Sequence, residues 1–435
     1  MSECITTAFG VDRKEWSQLI CTFQDLSAED FKDTYLDEVK ERKMSMDLDP
    51  TLLFLDVLYI RKLLSVETNP PVDIIFETGC CEALIKIAST STNDKLVMEA
   101  LWAVTNLASG AAEHTALVVQ LGGIECFAKN LLTATDDDVF EQATWGLGNI
   151  CGDGARLRDL VLATEIPALA YERFQAAIKT GKVNVQRNFI WMVSNMCRSK
   201  PPPPLEVILP LIPVVQLAVE GCDEEVVSDA FWALSFISDG SCDRGEYLLS
   251  HFPDLVSVLS RALSKSAITT TTSSAVFKAI VKTIGNLLTG SDQQTQMVLD
   301  HGVLDNFPVL LNHPDRSIRK EACWSLSNIA AGTPDQVRFI LEPSIILPLQ
   351  RCCSDTAVQV HKEAFWVIAN ATGSAAVEAV DVFVQYGMME DLYDGLFLFD
   401  TKVIRIALEA LDNVLGSIPK TNGRWPMVEH LVQEG

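Results

Sequence analysis

Apolar residues recur along the chain at i, i+3 and i+4, in runs closed by Gly, Asn, Asp or Pro. That spacing lays an apolar stripe along one side of an α-helix. No segment alternates apolar and polar residues with the period of two that a half-buried strand needs, so the pattern predicts helices throughout. Residues 80–121 hold one full cycle. "CCEALIKIAS" is a first apolar helix. "NDKLVMEALWAVTNLASG" follows, with an Asn/Asp start and a Gly stop, and "AAEHTALVVQLGGI" opens the next unit. "ETGCC", "QLGGI" and "DHGVL" recur at one phase and predict a short turn between units.

The cycle repeats. A tryptophan followed four residues later by an asparagine heads "WAVTNLASG" at 102–110, "WGLGNICGDG" at 145–154 and "WMVSNMCRS" at 191–199. It heads "WSLSNIAAG" at 324–332 and "WVIANATGS" at 366–374 as well. "WALSFISDG" at 232–240 has Phe236 in place of the asparagine. Lys282 and Glu409 fill the tryptophan position in two further units, each with its asparagine, Asn286 and Asn413. Successive markers lie 43, 46, 41, 50, 42, 42 and 43 residues apart. A period of about 40–47 residues marks helical repeats of the HEAT or armadillo class. One unit cannot bury its own apolar face, so neighbours must stack. The expectation is an all-α, right-handed α-solenoid of about nine armadillo repeats over residues 55–435, with a long concave groove. Residues 1–54 do not follow the repeat; they form a divergent acidic segment, helical in parts such as "SAEDFKDTYLDEVKERK". "SKPPPPLEV" at 199–207 reads as a Pro-rich connection that starts a helix. "SKSAITTTTSSAVF" at 264–277 reads as the loop behind the 50-residue interval.

Composition narrows the ligand. The 435 residues carry 58 Asp and Glu against 34 Lys and Arg, a formal charge of -24. Such a body repels nucleic-acid phosphates and anionic membranes and suits a cationic partner. The 12 cysteines have no C-x-x-C spacing, which points to reduced buried thiols. The most apolar stretch, from Pro204, carries a Glu and three prolines in all and is no membrane span. No P-loop or H-E-x-x-H pattern occurs, and no strand precedes "GLGNICGDG", so neither cofactor nor metal is expected and the chain does not read as an enzyme.

Residues four apart on a helix lie about 40° apart around its axis, so each Trp and Asn share a face. Stacking would align them into an indole ladder beside a carboxamide ladder. One reading makes the Trps core and the Asns bridges between repeats. The other is a recognition surface. A carboxamide offers the donor and acceptor that an extended peptide backbone requires, and indole walls hold Lys or Arg stems with cation–π attraction. Gly110, Gly152, Gly240, Gly290 and Gly332 read as residues just past helix ends. They would turn negative helix termini toward one rim, beside Asp153, Asp239 and Asp292. Glu321 and Glu363 precede their tryptophans by three residues. Together these elements suit a Lys/Arg-rich peptide.

Over residues 55–435 the sequence resembles importin-α, the armadillo adaptor of nuclear import. The likeness lies in "RKLLSVETNPPVDIIFETG", "EQATWGLGNICGDG", "WMVSNMCRSKPPPP", "SDAFWALSFISDG", "GNLLTGSDQQTQ" and "KEACWSLSNIAAG". The resemblance implies an adaptor, moving between cytoplasm and nucleus, that binds nuclear localisation signals at two sites. The major site it implies uses Trp102, Asn106, Trp145, Asn149, Trp191 and Asn195. Asp153, Thr115 and the Gly110 carbonyl would take the key lysine, with Glu67, Gln142, Asp229 and Trp232 at the edges. The minor site would use Asn286, Glu321, Trp324, Asn328, Glu363, Trp366 and Asn370, with Thr289 and Asp292 nearby. Lys282, where the family usually has Arg, would separate the two. Importin-β and a recycling exportin are the further partners implied. The N-terminus lacks the Arg/Lys cluster through which the family binds importin-β and fills its own groove. The sequence ends at "EHLVQEG", about where the family's last repeat begins. The alternative is an armadillo scaffold, or a chaperone or sink for basic proteins, without importin-β-dependent import. A catenin-like groove would be lined by Lys and Arg instead of Trp, Asn and acids.

Overall fold

The computed structural model describes residues 44–268, 274–374, 377–398 and 400–417. Most of the acidic segment 1–54 therefore lies outside the described residues. Among those described, the chain is helical and contains no strand. It forms two compact units, residues 1–233 and 234–435.

Each unit is built from repeats of a short helix, a middle helix and a final helix that carries the Trp/Asn positions. In the first unit the final helices are α1 (Pro50–Leu64), α2 (Asp94–Leu107), α3 (Asp137–Asp153) and α4 (Val183–Cys197). α5 (Glu224–Ser238) crosses the division between units. In the second they are α6 (Ser274–Leu287), α7 (Arg316–Ala330), α8 (Val358–Gly373) and α9 (Thr401–Ser417). Within the first unit, α2 packs on α1 and α3, and α3 on α4; within the second, α7 packs on α6 and α8, and α8 on α9.

Local chemistry sets where these helices begin. Asp49, Asn93 and Asp136 each accept two backbone N–H bonds at the starts of α1, α2 and α3, and Asp315 accepts from Ser317 at the start of α7. Each cap satisfies donors that a first helical turn leaves without partners. Burial then selects the faces. In α2, Leu101, Val104 and Leu107 are fully buried, as are Ala143, Leu147 and Ile150 in α3.

The glycine turns fall inside a repeat, not between units as the sequence suggested. Gly79, Gly122, Gly302 and Gly387 have φ of +71°, +90°, +65° and +73°, and each joins a short helix to the middle one. Only glycine adopts this left-handed backbone without a steric cost. The expected helix stops fare differently. Of the five glycines, Gly240 alone has positive φ, at +138°. Gly152 lies within α3. At Gly290 and Gly332 a Cβ would lie 2.2 Å from the Oε1 of Gln294 and Gln336, the far ends of flexible side chains, so neither backbone reversal nor rigid packing requires glycine there. The Ser/Thr stretch also departs from expectation: the helix Leu255–Ile268 runs into it and α6 starts at Ser274, so only residues 269–273 remain undescribed there. The Pro-rich connection does start a helix, Leu205–Ile208. It is held by Arg158, 1% exposed, which donates to the carbonyls of Arg198, Ser199 and Pro201.

Candidate peptide-binding site

The asparagines bind the repeat before them, and all but Asn106 do so at one place. Asn149 Nδ2 donates to the Thr105 carbonyl at 3.3 Å and Asn195 to Gly148 at 3.1 Å. In the second unit Asn286 donates to Ser235 (3.0 Å), Asn328 to Gly285 (3.1 Å), Asn370 to Ser327 (2.9 Å) and Asn413 to Ala369 (3.1 Å). The acceptor is each time the residue just before the preceding unit's own Asn position. Asn106 donates instead to the Ser65 hydroxyl at 3.0 Å. So the two readings of the Asn column are not exclusive. One N–H joins repeats and fixes the carboxamide plane. In Asn149, Asn195, Asn328 and Asn370 the oxygen and the second N–H are then held in constant orientation, whereas Asn286 and Asn413 also donate to Ser238 Oγ and Thr372 Oγ1.

The acceptor residue is small: Thr105, Gly148, Ser235, Gly285, Ser327 or Ala369. At the two glycines the next tryptophan explains why. A Cβ on Gly148 would lie 2.3 Å from the Trp191 ring, and a Cβ on Gly285 would lie 2.3 Å from the Trp324 ring. Trp191 and Trp324 therefore rest their six-membered rings on bare helix backbone one repeat earlier. The remaining ring surface is open. Trp145 is 41% exposed, and Trp102, Trp191, Trp232, Trp324 and Trp366 are half-buried. Core aromatics such as Phe127, Phe174 and Phe189 are at most 1% exposed.

Around the first ladder, Gln142 is buried three residues before Trp145, and its Oε1 has no hydrogen-bond partner among the described residues. A buried acceptor left this way costs about 1–3 kcal/mol, which a donating ligand would recover. Asp229, one turn before Trp232, is held at a pKa of about 6 by burial and by the nearby Glu225. Asp153 ends α3 and is exposed. Gly110 and Glu67 are exposed as well. Thr115 is 1% exposed, and its hydroxyl already donates to the Ala108 carbonyl at 3.2 Å. Its helix, Ala112–Gln120, packs on both α2 and α3.

The second ladder is less acidic than its sequence suggests. Glu321 Oε1 is 2.7 Å from Lys320 Nζ, and Glu363 Oε1 is 3.3 Å from Lys362 Nζ. Thr289 donates to the Asn286 carbonyl at 2.7 Å. Asp292 opens the helix Asp292–Asp300, and its backbone carbonyl accepts from Gln336. Lys282 lies 4.1 Å above the Trp324 ring centroid, with Nζ 3.9 Å from Glu321 Oε2.

Two residues escaped the reading of the sequence. Arg61 and Ser65 occupy the Trp and Asn positions of the first unit, 41 residues before Trp102 and Asn106. Extending the period backwards would have found them; the change of residue type hid them. Arg61 lies 4.4 Å from the Trp102 ring centroid and binds Glu99 through Nε at 2.6 Å and Nη2 at 3.4 Å.

Among the described residues no group of His, Cys, Asp or Glu is arranged to hold a metal ion. The ten described cysteines are free thiols. Burial pushes Cys81 up to about 12 and Cys126 up to about 11, so neither is a ready nucleophile. No described helix is long and apolar enough to cross a membrane.

Comparison with known proteins agrees with the repeat assignment. The Armadillo/beta-catenin-like repeat family matches residues 68–109, 112–152 and 291–331. Importin subunit alpha-3 of Arabidopsis thaliana is 40% identical over 359 residues, which is 82% of this chain and 65% of the relative. Importin subunit alpha-1b of Oryza sativa subsp. japonica is 38% identical over 358 residues, 82% of this chain and 64% of the relative. The chain thus spans just under two thirds of the length of these curated relatives. A crystal structure of an engineered protein shares the fold, with a TM-score of 0.62 at 23% identity, over 88% of this chain and 99% of that one.

Proposed function

We propose, from the premise that this chain belongs to the importin-α family of armadillo-repeat proteins, that it binds Lys/Arg-rich nuclear localisation signals in extended form. It acts in this reading as an import adaptor moving between cytoplasm and nucleus, with importin-β and a recycling exportin as family partners, and not as an enzyme. The observation that carries the proposal is the asparagine geometry. The carboxamides of Asn149, Asn195, Asn328 and Asn370 each spend one N–H on the preceding helix, which sets their oxygens and second N–H groups in fixed register. A peptide in extended form presents N–H and C=O groups at regular intervals and pairs with such a row without ordering new side chains. Between the rows, open indole faces accept Lys or Arg stems, each contact worth about 0.5–2 kcal/mol.

The first ladder is the principal site. Trp102, Trp145, Trp191 and Trp232 stand in consecutive repeats of one unit. Asp153 receives the key lysine, Gln142 and Asp229 line the edge, and Thr115 and Gly110 close the pocket. In the second unit Asn286, Trp324, Asn328, Trp366 and Asn370 form a shorter ladder with fewer uncompensated carboxylates, which suits a smaller basic cluster. Isothermal titration with a Lys-rich peptide and with the same peptide carrying Glu for Lys tests the proposal. Binding of the first alone supports it; equal binding of both, or of neither, removes it.

A further inference from the structure

We infer that Arg61 is a built-in ligand that closes the first slot of the Trp102–Trp232 ladder, and so sets where along it a basic peptide can begin or end. The inference rests on the proposed peptide-binding function and adds a positioning residue to it.

A slot for a basic side chain has three parts in this fold: the Trp-column residue of one repeat, the indole of the next, and the polar residue three positions before that indole. Between Trp102 and Trp145 the polar residue is Gln142; between Trp191 and Trp232 it is Asp229. Between Arg61 and Trp102 it is Glu99, and here the cation is already present. The Arg61 guanidinium lies 4.4 Å from the Trp102 ring centroid and holds both Glu99 oxygens, at 2.6 and 3.4 Å. This is the stacking and ion pairing that a ligand's arginine would seek there. The side chains of Arg61 and Glu99 are 14% and 11% exposed, so the slot is filled and neutralised.

The second unit repeats the arrangement with different residues. Lys282 sits 4.1 Å over Trp324, with Glu321, three residues earlier, 3.9 Å from its Nζ. The same triad of cation, indole and carboxylate thus occurs in both units at the same position of the repeat. A merely structural ion pair would not need the indole. A ladder of identical slots would let a run of lysines slide by one repeat at little cost. A slot filled from within the chain removes that degeneracy, because a peptide side chain entering it must displace a bidentate ion pair and meets a cation.

Oligolysine peptides of increasing length, flanked by Gly and Ser, test this against the whole chain. Wild-type affinity should rise with length and then level off once the open slots are filled. Arg61→Ala exposes the Trp102 face and frees the Glu99 carboxylate, so the longer tracts should bind it about tenfold more tightly than the tract at which wild type levels off. Arg61→Lys, which keeps a cation in place, should restore the wild-type plateau. A structural role alone would lower affinity at every length and leave the length dependence unchanged. That result, or a plateau shared by wild type and Arg61→Ala, overturns the inference. If wild type binds no tract of any length, the peptide-binding function itself fails and the inference with it. Should Arg61→Ala fail to fold by circular dichroism, Arg61→Gln asks the same question while keeping a neutral donor to Glu99.

Discussion

Gly148→Ala is the smallest change that separates ladder geometry from fold stability. The added methyl would sit 2.3 Å from Trp191 Cζ3, 2.6 Å from Cε3 and 3.3 Å from Cη2. Carbon atoms rest about 3.5–4.0 Å apart, so the ring must retreat by more than about 1 Å. Gly148 lies inside α3 with ordinary helical backbone, and replacing it with Ala there gains up to about 1 kcal/mol. Overpacking costs about 1–3 kcal/mol in return, so even the worst case is a net loss of about 3 kcal/mol. Trp191, however, walls two adjacent slots. Displacing it should remove about 1–2 kcal/mol of stacking, with a further loss where Asn195, which binds the Gly148 carbonyl, shifts as well. The expected result is a 10- to 30-fold weaker Kd for a Lys-rich peptide by fluorescence anisotropy, from a protein whose thermal melt moves by only a few degrees. Gly416→Ala is the control: it lies in the helix α9, and its methyl meets nothing within 4 Å. Wild-type affinity in Gly148→Ala would refute the claim that the Trp191 ring position matters for binding.

Trp145→Ala combined with Asn149→Ala should weaken peptide binding strongly while helical circular dichroism is retained, because Trp145 is 41% exposed and Asn149 gives up a single inter-repeat bond; cooperative unfolding of the pair would return these residues to the core. Asp229 is held near 6, above its unfolded value of 3.8, by burial and then by Glu225. As pH rises from about 4 to 6 the unfolded chain ionises at this residue before the folded one, so its charge progressively destabilises the fold. Asp229→Asn should therefore raise the melting temperature at pH 7.5, leave it unchanged near pH 3.5, and still weaken binding of a basic peptide. In wild type that binding should weaken as pH falls below 6, as titrations at pH 5 and 7.5 would read out.

The helical period and the Trp/Asn register were legible because both are repetitive and local. Asn93 announced its helix start in the sequence, and the structure shows it accepting from Lys95 and Leu96. What stayed hidden depends on neighbours distant in sequence or on backbone angles. Spacing placed Asn195 on the ladder face but could not show that half of its carboxamide belongs to Gly148. Nothing in the sequence marked Gly148 and Gly285 for a role, whereas the structure shows that each admits an indole from the next repeat. Glu321 and Glu363 counted as free acids until Lys320 and Lys362 were found folded onto them. Arg61 interrupted the residue type but not the period, so its position could be read by extending the period backwards, while its place over Trp102 could not.

The most direct test is titration of a labelled Lys-rich signal peptide against wild type and Asp153→Lys, at low and raised salt. Asp153 is exposed at the end of α3, so reversing its charge should leave the fold intact. Tight binding by wild type that weakens with salt, together with its loss in Asp153→Lys, is the predicted result. Equal binding by the two proteins, or salt-independent binding, would contradict the account.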